Sequence, residues 1–113
     1  MRLRLLVLTS FCSLFLLGHN IAWSQATTSL GGHVTDAGGA SIAGASIKLT
    51  RTSTTTVRET TTNKNGEYQF SQVAPGRYEL TVVSQGFATA KQTSIDLLVS
   101  QPATINVSLA VAT

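Results

Sequence analysis

Apolar residues recur at every second position in several short stretches of this chain, and turn-forming residues separate the stretches. Ile47 and Leu49 alternate with polar neighbours, as do Tyr68 and Phe70. A period of two places such side chains on one face of a β-strand. The alternation continues at Tyr78-Leu80-Val82, Ile95-Leu97 and Ile105-Val107-Leu109-Val111. We find no helical period after residue 26, so the pattern predicts an all-β domain.

The alternation predicts about seven strands: His33–Thr35, Ala45–Thr50, Thr54–Thr62, Tyr68–Phe70, Tyr78–Val82, a strand within Ala88–Val99, and Ile105–Val111. The Thr-rich third strand has only Val57 to bury, which suits the edge of a sheet. One sheet alone would leave its apolar face in water. The sequence therefore predicts an antiparallel Greek-key β-sandwich of two sheets.

Residues that favour turns lie between the predicted strands: Asp36, Gly39, Gly44, Asn65, Gly66, Pro75, Gly76 and Gly86. Asn65-Gly66 favours the type I′ turn of a β-hairpin. Pro75-Gly76 suits a type II turn, in which glycine adopts a positive φ. These signals indicate where the chain reverses, and they favour a structural role for the residues that carry them.

The first 26 residues have the form of a helical export signal. Arg2 and Arg4 precede the apolar run Leu5–Leu17, and Ser24 and Ala26 give a small-x-small cleavage pattern. An uncleaved anchor is the alternative, but thirteen helical residues rise only about 20 Å, short of the roughly 30 Å hydrocarbon core. We expect cleavage after Ala26 and no stable membrane span afterwards. The predicted divisions are a signal peptide (1–26), a linker (27–29), a β-domain (30–111) and a C-terminal end (112–113).

Charge and cysteine content exclude several classes of function for the exported part. Loss of Arg2 and Arg4 leaves six basic and five acidic residues, which gives no electrostatic reason to expect nucleic acid as a partner. Loss of Cys12 leaves no disulfide, thiolate nucleophile or thiolate ligand. Arg51, Arg58 and Lys64 could form a weak positive patch near one edge of the domain. We interpret this patch as an ordinary solvent-exposed surface.

An ordered set of residues resembles one known family. It comprises Gly32-x-Val34-x-Asp36, Gly39, Ile42-Ala43-Gly44-Ala45-x-Ile47, Thr62-Asn63-x-Asn65-Gly66-x-Tyr68-x-Phe70, Val73-x-Pro75-Gly76-x-Tyr78-x-Leu80-x-Val82 and Gly86-Phe87. This set resembles the carboxypeptidase regulatory-like domain, a transthyretin-like sandwich with a carbohydrate-binding-like fold. It is also similar to the domain that precedes the plug of TonB-dependent outer-membrane receptors.

The resemblance implies a folding, spacing or interaction module of the bacterial cell envelope, without catalytic residues. We therefore expect no enzyme activity and no cofactor. The expected location is the periplasm, the outer membrane or the cell exterior. A protein partner bound through the Thr54–Thr62 edge is the first hypothesis. A carbohydrate-binding module with Phe87 as ligand contact is the second, and the front end of a truncated receptor is the third.

Three possible chemical sites are weak. A Ser-His-Asp relay would need His33 beside Asp36, but positions three apart on a strand point to opposite faces. Residues 63–67 (Asn-Lys-Asn-Gly-Glu) are similar to the start of a calcium loop, yet Glu67 is the only carboxylate there. One histidine without cysteine cannot form a structural zinc site. The sequence thus predicts no metal site.

Overall fold

The computed structural model describes residues 26–113, which form strands without a helix. Residues 1–25 of the predicted leader (1–26) lie outside this range. The strands are β1 (Thr28–Asp36), β2 (Ser46–Arg51), β3 (Val57–Thr61), β4 (Glu67–Val73), β5 (Gly76–Val83), β6 (Ala90–Leu97), β7 (Ala103–Thr104) and β8 (Val107–Leu109). Within the described part, no helix has the length and apolarity to cross a membrane.

The strands form two sheets. In the first sheet β1 is central, with β4 on one side and both β7 and β8 on the other. The second sheet has the order β3-β2-β5-β6 and is antiparallel throughout. Strands β7 and β8 pair one after the other along the same edge of β1, so together they take the place of a single strand in the sheet. The predicted all-β sandwich of about seven strands is confirmed.

The core lies between the sheets and consists of the apolar residues that the alternation placed on inner faces. Its fully buried side chains are Phe70, Leu30, Ile47, Leu49, Leu80, Leu97, Leu109, Val34, Val73 and Val82. Phe70, Tyr68 and Tyr78 add aromatic rings to this core, and aromatic side chains bury the largest areas. Val111 is the exception to the alternation, since it is 67% exposed. It lies beyond Leu109, the last residue of β8 that pairs with β1.

The last strands differ from the antiparallel expectation, because β7 and β8 both run parallel to β1. The chain leaves β6 in the second sheet and crosses to the first beside the start of β1. There Ser100 N donates to Thr27 O at 3.1 Å, and Thr28 Oγ1 donates to Gln101 O at 2.8 Å. A segment that starts next to the beginning of β1 can only follow β1 in the same direction.

The gap between β7 and β8 is closed by side-chain hydrogen bonds. Tyr68 Oη donates to Ile105 O at 2.5 Å, and His33 N donates to Asn106 Oδ1 at 3.0 Å. A Cβ on Gly32 would overlap Ile105 O and come within 2.9 Å of Tyr68 Cε1. Glycine at position 32 therefore permits the close approach of these two backbone segments.

Two turns differ from the sequence-based expectations. Asn65-Gly66 does not form a type I′ hairpin, because only Gly66 has a positive φ (77°) and the flanking strands β3 and β4 lie in different sheets. The turn is closed by Gly66 N donating to Asn63 O at 2.9 Å. Gly76 has a φ of 155° rather than the roughly +80° of a type II turn, since β5 begins at that residue.

Candidate functional site

The turn residues that the sequence singled out are spread over the connections and do not converge on one site. Asp36, Gly39 and Gly44 lie between β1 and β2, Asn65 and Gly66 between β3 and β4, Pro75 and Gly76 where β5 begins, and Gly86 between β5 and β6. Gly39, Gly44 and Gly86 have φ values of 89°, 72° and 86°, in the region that favours glycine. Their arrangement is that of loop-forming positions.

The His33 side chain contacts a serine but no carboxylate in the described part of the chain. Its Nε2 lies 2.9 Å from Ser41 Oγ and 2.5 Å from Asn65 O. The Asp36 carboxylate instead accepts hydrogen bonds from Gly38 N and Ala40 N, both at 2.9 Å. The histidine is thus not oriented by a carboxylate, as a catalytic relay requires. Residues 26–113 contain no group of three His, Cys, Asp or Glu side chains that could hold a metal ion.

The aromatic side chains are placed against the core. Tyr68 and Tyr78 are 4% and 5% exposed, and Tyr78 Oη donates to Ala74 O at 2.6 Å across the β4–β5 corner. Burial raises the pKa of Tyr68 to about 12. Phe87, the candidate sugar contact, is half-buried and packs on the core cluster. These rings do not form the exposed platform on which a sugar could stack.

The edge strand β3 offers the most regular unpaired backbone. Thr62 N donates to Ala45 O and Arg51 N to Thr56 O, at 3.0 and 2.9 Å. Hydrogen-bonded pairs alternate along an antiparallel ladder, so the register directs the N–H and C=O groups of Arg58 and Thr60 toward β2. The same groups of Val57, Glu59 and Thr61 therefore point away from the sheet, where an added strand could pair with them.

The other edges carry features that discourage pairing. Strand β4 has a bulge with Gln72 at a φ of 53°, and Arg58 Nη1 donates to Ser71 O beside it at 2.8 Å. Strand β6 has a bulge with Ser94 at a φ of 57° and also carries Lys91. Strands β7 and β8 have two and three residues. Bulges, lysine and short length all protect sheet edges, whereas β3 keeps an unbroken five-residue register with β2.

The charged residues of the positive patch separate in the structure. Lys64 lies exposed in the β3–β4 turn, whereas Arg51 and Arg58 line one cavity of about 220 Å³. This cavity was not predicted from the sequence, because it forms where β3 and β4 of different sheets approach each other. The arginines were visible as charges, but no sequence spacing places them together.

Two facing sheets with β3 at one edge define the described part of the chain as a β-sandwich domain. The family model of the carboxypeptidase regulatory-like domain matches residues 29–110. The chain belongs to this family, whose domain is regulatory and non-catalytic. No relative was found by sequence among curated proteins.

Solved structures of similar fold come from several kinds of protein. A type II cohesin–X-dockerin complex from Acetivibrio cellulolyticus matches at 14% identity and a TM-score of 0.62, over 74% of this chain and 58% of that chain. A putative carbohydrate binding protein from Bacteroides uniformis matches at 18% and 0.58, over 74% and 41%.

A hydroxyquinol 1,2-dioxygenase from Pseudomonas putida matches at 9% identity and a TM-score of 0.63, over 84% of this chain and 60% of that chain. This chain thus spans less than two thirds of each of the three solved chains. At such low identities the similarity concerns the fold alone, and it assigns neither an activity nor a ligand to this domain.

Proposed function

We propose that this domain is an exported, non-catalytic binding module of the cell envelope that recognises a protein partner by adding a strand to β3. The observation that carries the proposal is the unbroken outer edge of β3, with outward N–H and C=O groups at Val57, Glu59 and Thr61. Their side chains are exposed as well. An extended segment can therefore form main-chain hydrogen bonds there without displacing any part of the sandwich.

Export is part of the proposal, and the predicted leader in the first 26 residues supports it. Two further observations favour binding over catalysis. The family is non-catalytic, and the His33 imidazole contacts Ser41 and Asn65 but lacks the acid of a relay. The buried tyrosines favour a protein over a carbohydrate partner. Glycan-array binding that is lost in Phe87→Ala would instead favour the carbohydrate alternative.

A proline at the edge tests the proposal. Glu59→Pro removes an outward N–H and leaves the ladder to β2 intact, whereas a proline at Thr60 would remove an N–H that faces β2. Glu59→Ala is the matched control, because it removes the same side chain and its exposed ion pair with Lys48 but keeps the N–H. Each variant is used to capture partners from an envelope extract.

We expect wild type and Glu59→Ala to retain the same partner and Glu59→Pro to lose it. Amide hydrogen exchange gives a second readout, since Val57 and Thr61 should become protected when the partner binds. Retention by Glu59→Pro, or unchanged exchange at Val57 and Thr61 in the complex, would refute strand addition at β3.

A further inference from the structure

Arg51 of β2 and Arg58 of β3 lie on neighbouring strands of the second sheet, on the side where β3 approaches β4 of the first sheet. Both lie in inner-face positions, since Arg58 is the register partner of Leu49 and Arg51 that of Tyr78. The cavity that they share measures about 220 Å³, the volume of roughly seven water molecules. It is lined by Leu49, Arg51, Thr56, Arg58, Gln72, Val73, Ala74 and Tyr78.

Neither guanidinium has a carboxylate partner in the described part of the chain. The three ion pairs found there join Lys48 to Glu59, Arg77 to Asp96 and Lys91 to Glu79. Arg51 Nη2 donates to Pro75 O at 2.9 Å, but its buried Nε has no hydrogen-bond partner. Arg58 donates to the Ser71 carbonyl and lies 5.7 Å from the centre of the Phe70 ring. The cavity is therefore lined by two arginines that have no carboxylate beside them, and the buried Nε of Arg51 keeps a hydrogen without an acceptor.

We propose that this cavity is a carboxylate-binding site, with Arg51 and Arg58 as its ligands. Guanidinium groups present planar, paired donors that match the two oxygens of a carboxylate. Leu49, Val73 and Ala74 add an apolar wall beside the two arginines. A bound carboxylate would also offset the repulsion between the two arginines, which share one cavity without an acid.

The geometry of β3 indicates where the carboxylate comes from, on the assumption that strand addition at this edge is correct. Side chains of an added strand alternate between the two faces of the sheet. Those on the inner face lie beside Arg58, because cross-strand neighbours are about 5 Å apart. The partner segment would therefore carry Asp or Glu at an inward position, so the site selects acidic extended segments.

Two peptides that differ only in charge test this selection. One is an eight-residue peptide of alternating Thr and Glu, and the other alternates Thr and Gln. Binding to the purified protein is followed by NMR at the amides of Val57 and Thr61 and at the arginine Nε–H signals. We expect the Glu peptide to bind at least about tenfold more tightly, the factor given by one charge-assisted hydrogen bond.

Arg58→Gln should remove this preference, whereas Arg77→Gln should preserve it. The control removes the same charge from an exposed residue whose ion pair with Asp96 lies at the opposite edge of the sheet. Thermal unfolding of each variant verifies the fold. Arg58→Lys, which keeps the charge but lacks the planar fork, serves as a second variant and should weaken binding less than Arg58→Gln.

The outcomes separate the two proposals. If both peptides shift the β3 amides and bind equally well, or if Arg58→Gln keeps the preference, the carboxylate site is refuted while strand addition stands. If neither peptide shifts those amides but free glutarate shifts the arginine signals in wild type and not in Arg58→Gln, strand addition is refuted. The cavity is then a site for a small carboxylate.

Discussion

Replacement of Gly32 by alanine should destabilise the domain more than an ordinary glycine substitution. The new Cβ would overlap Ile105 O and lie 2.7 Å from Ile105 C, and both atoms belong to the backbone. A flexible side chain could rotate away, but here β1 and the segment that joins β7 to β8 must separate. The substitution therefore tests whether the close approach of these two segments holds the sandwich together.

The magnitude follows from the hydrogen bonds that such a separation would break. They are Tyr68 Oη to Ile105 O, Ile105 N to Gly31 O, and His33 N to Asn106 Oδ1. At about 1 kcal/mol each, their loss lowers the free energy of unfolding by about 3 kcal/mol. For a domain of this size that corresponds to a decrease in Tm of roughly 12–24 °C.

Urea and thermal unfolding measure the effect, with Gly38→Ala as the matched control. A Cβ on Gly38 would meet nothing nearer than Asp36 Oδ1 at 3.4 Å. We expect this control to change the free energy of unfolding by less than about 0.5 kcal/mol, as is usual at surface positions. If the free energies of unfolding of Gly32→Ala and Gly38→Ala differ by less than about 1 kcal/mol, the close approach of Gly32 to Ile105 does not hold the sandwich together.

Two further predictions concern pH and export. The pKa of Tyr68 is about 12 in the folded domain and about 10 in an unfolded chain, so the folded state holds the proton more tightly. This contribution to stability is complete below pH 10 and is lost as the pH rises to 12. Tyr68→Phe should lower the free energy of unfolding by about 1–3 kcal/mol at pH 7. Between pH 9 and pH 11, however, the free energy of unfolding, measured in urea, should decrease less in Tyr68→Phe than in wild type. An equal loss in both would contradict this. For export, mass spectrometry of the secreted protein should give an N-terminus at Thr27, and a mature chain that retains residues 1–26 would refute the predicted cleavage after Ala26.

The sequence predicted the sandwich well where inner-face alternation was regular. The inner residues of β2, β4 and β5 are buried as expected. Strand β1 is longer than the predicted His33–Thr35, because Gly31 and Gly32 carry no side chains that reveal alternation. Strand β1 pairs with β4 on one side and with β7 and β8 on the other. These contacts keep its nine residues extended although the local sequence favours a strand only weakly.

The candidate site was predictable only in part. The exposed polarity of Thr54–Thr62 indicated an edge strand, and β3 is one, although the structure restricts it to Val57–Thr61. The direction of each N–H depends on the register with β2, which no local signal fixes. The cavity around Arg51 and Arg58 depends on how closely two sheets approach, so it follows from packing rather than from neighbours in sequence.

The parallel pairing of β1 with β8 has a mechanical consequence. Residue 28 begins β1 at one end of the sandwich, and Leu109 ends β8 opposite Asp36 at the other, so about 26 Å of strand separates the two points. Tension applied between them would load this ladder along its length, in shear. The bonds would have to rupture together instead of unzipping one by one, so we expect the module to transmit pulling force as a stiff link.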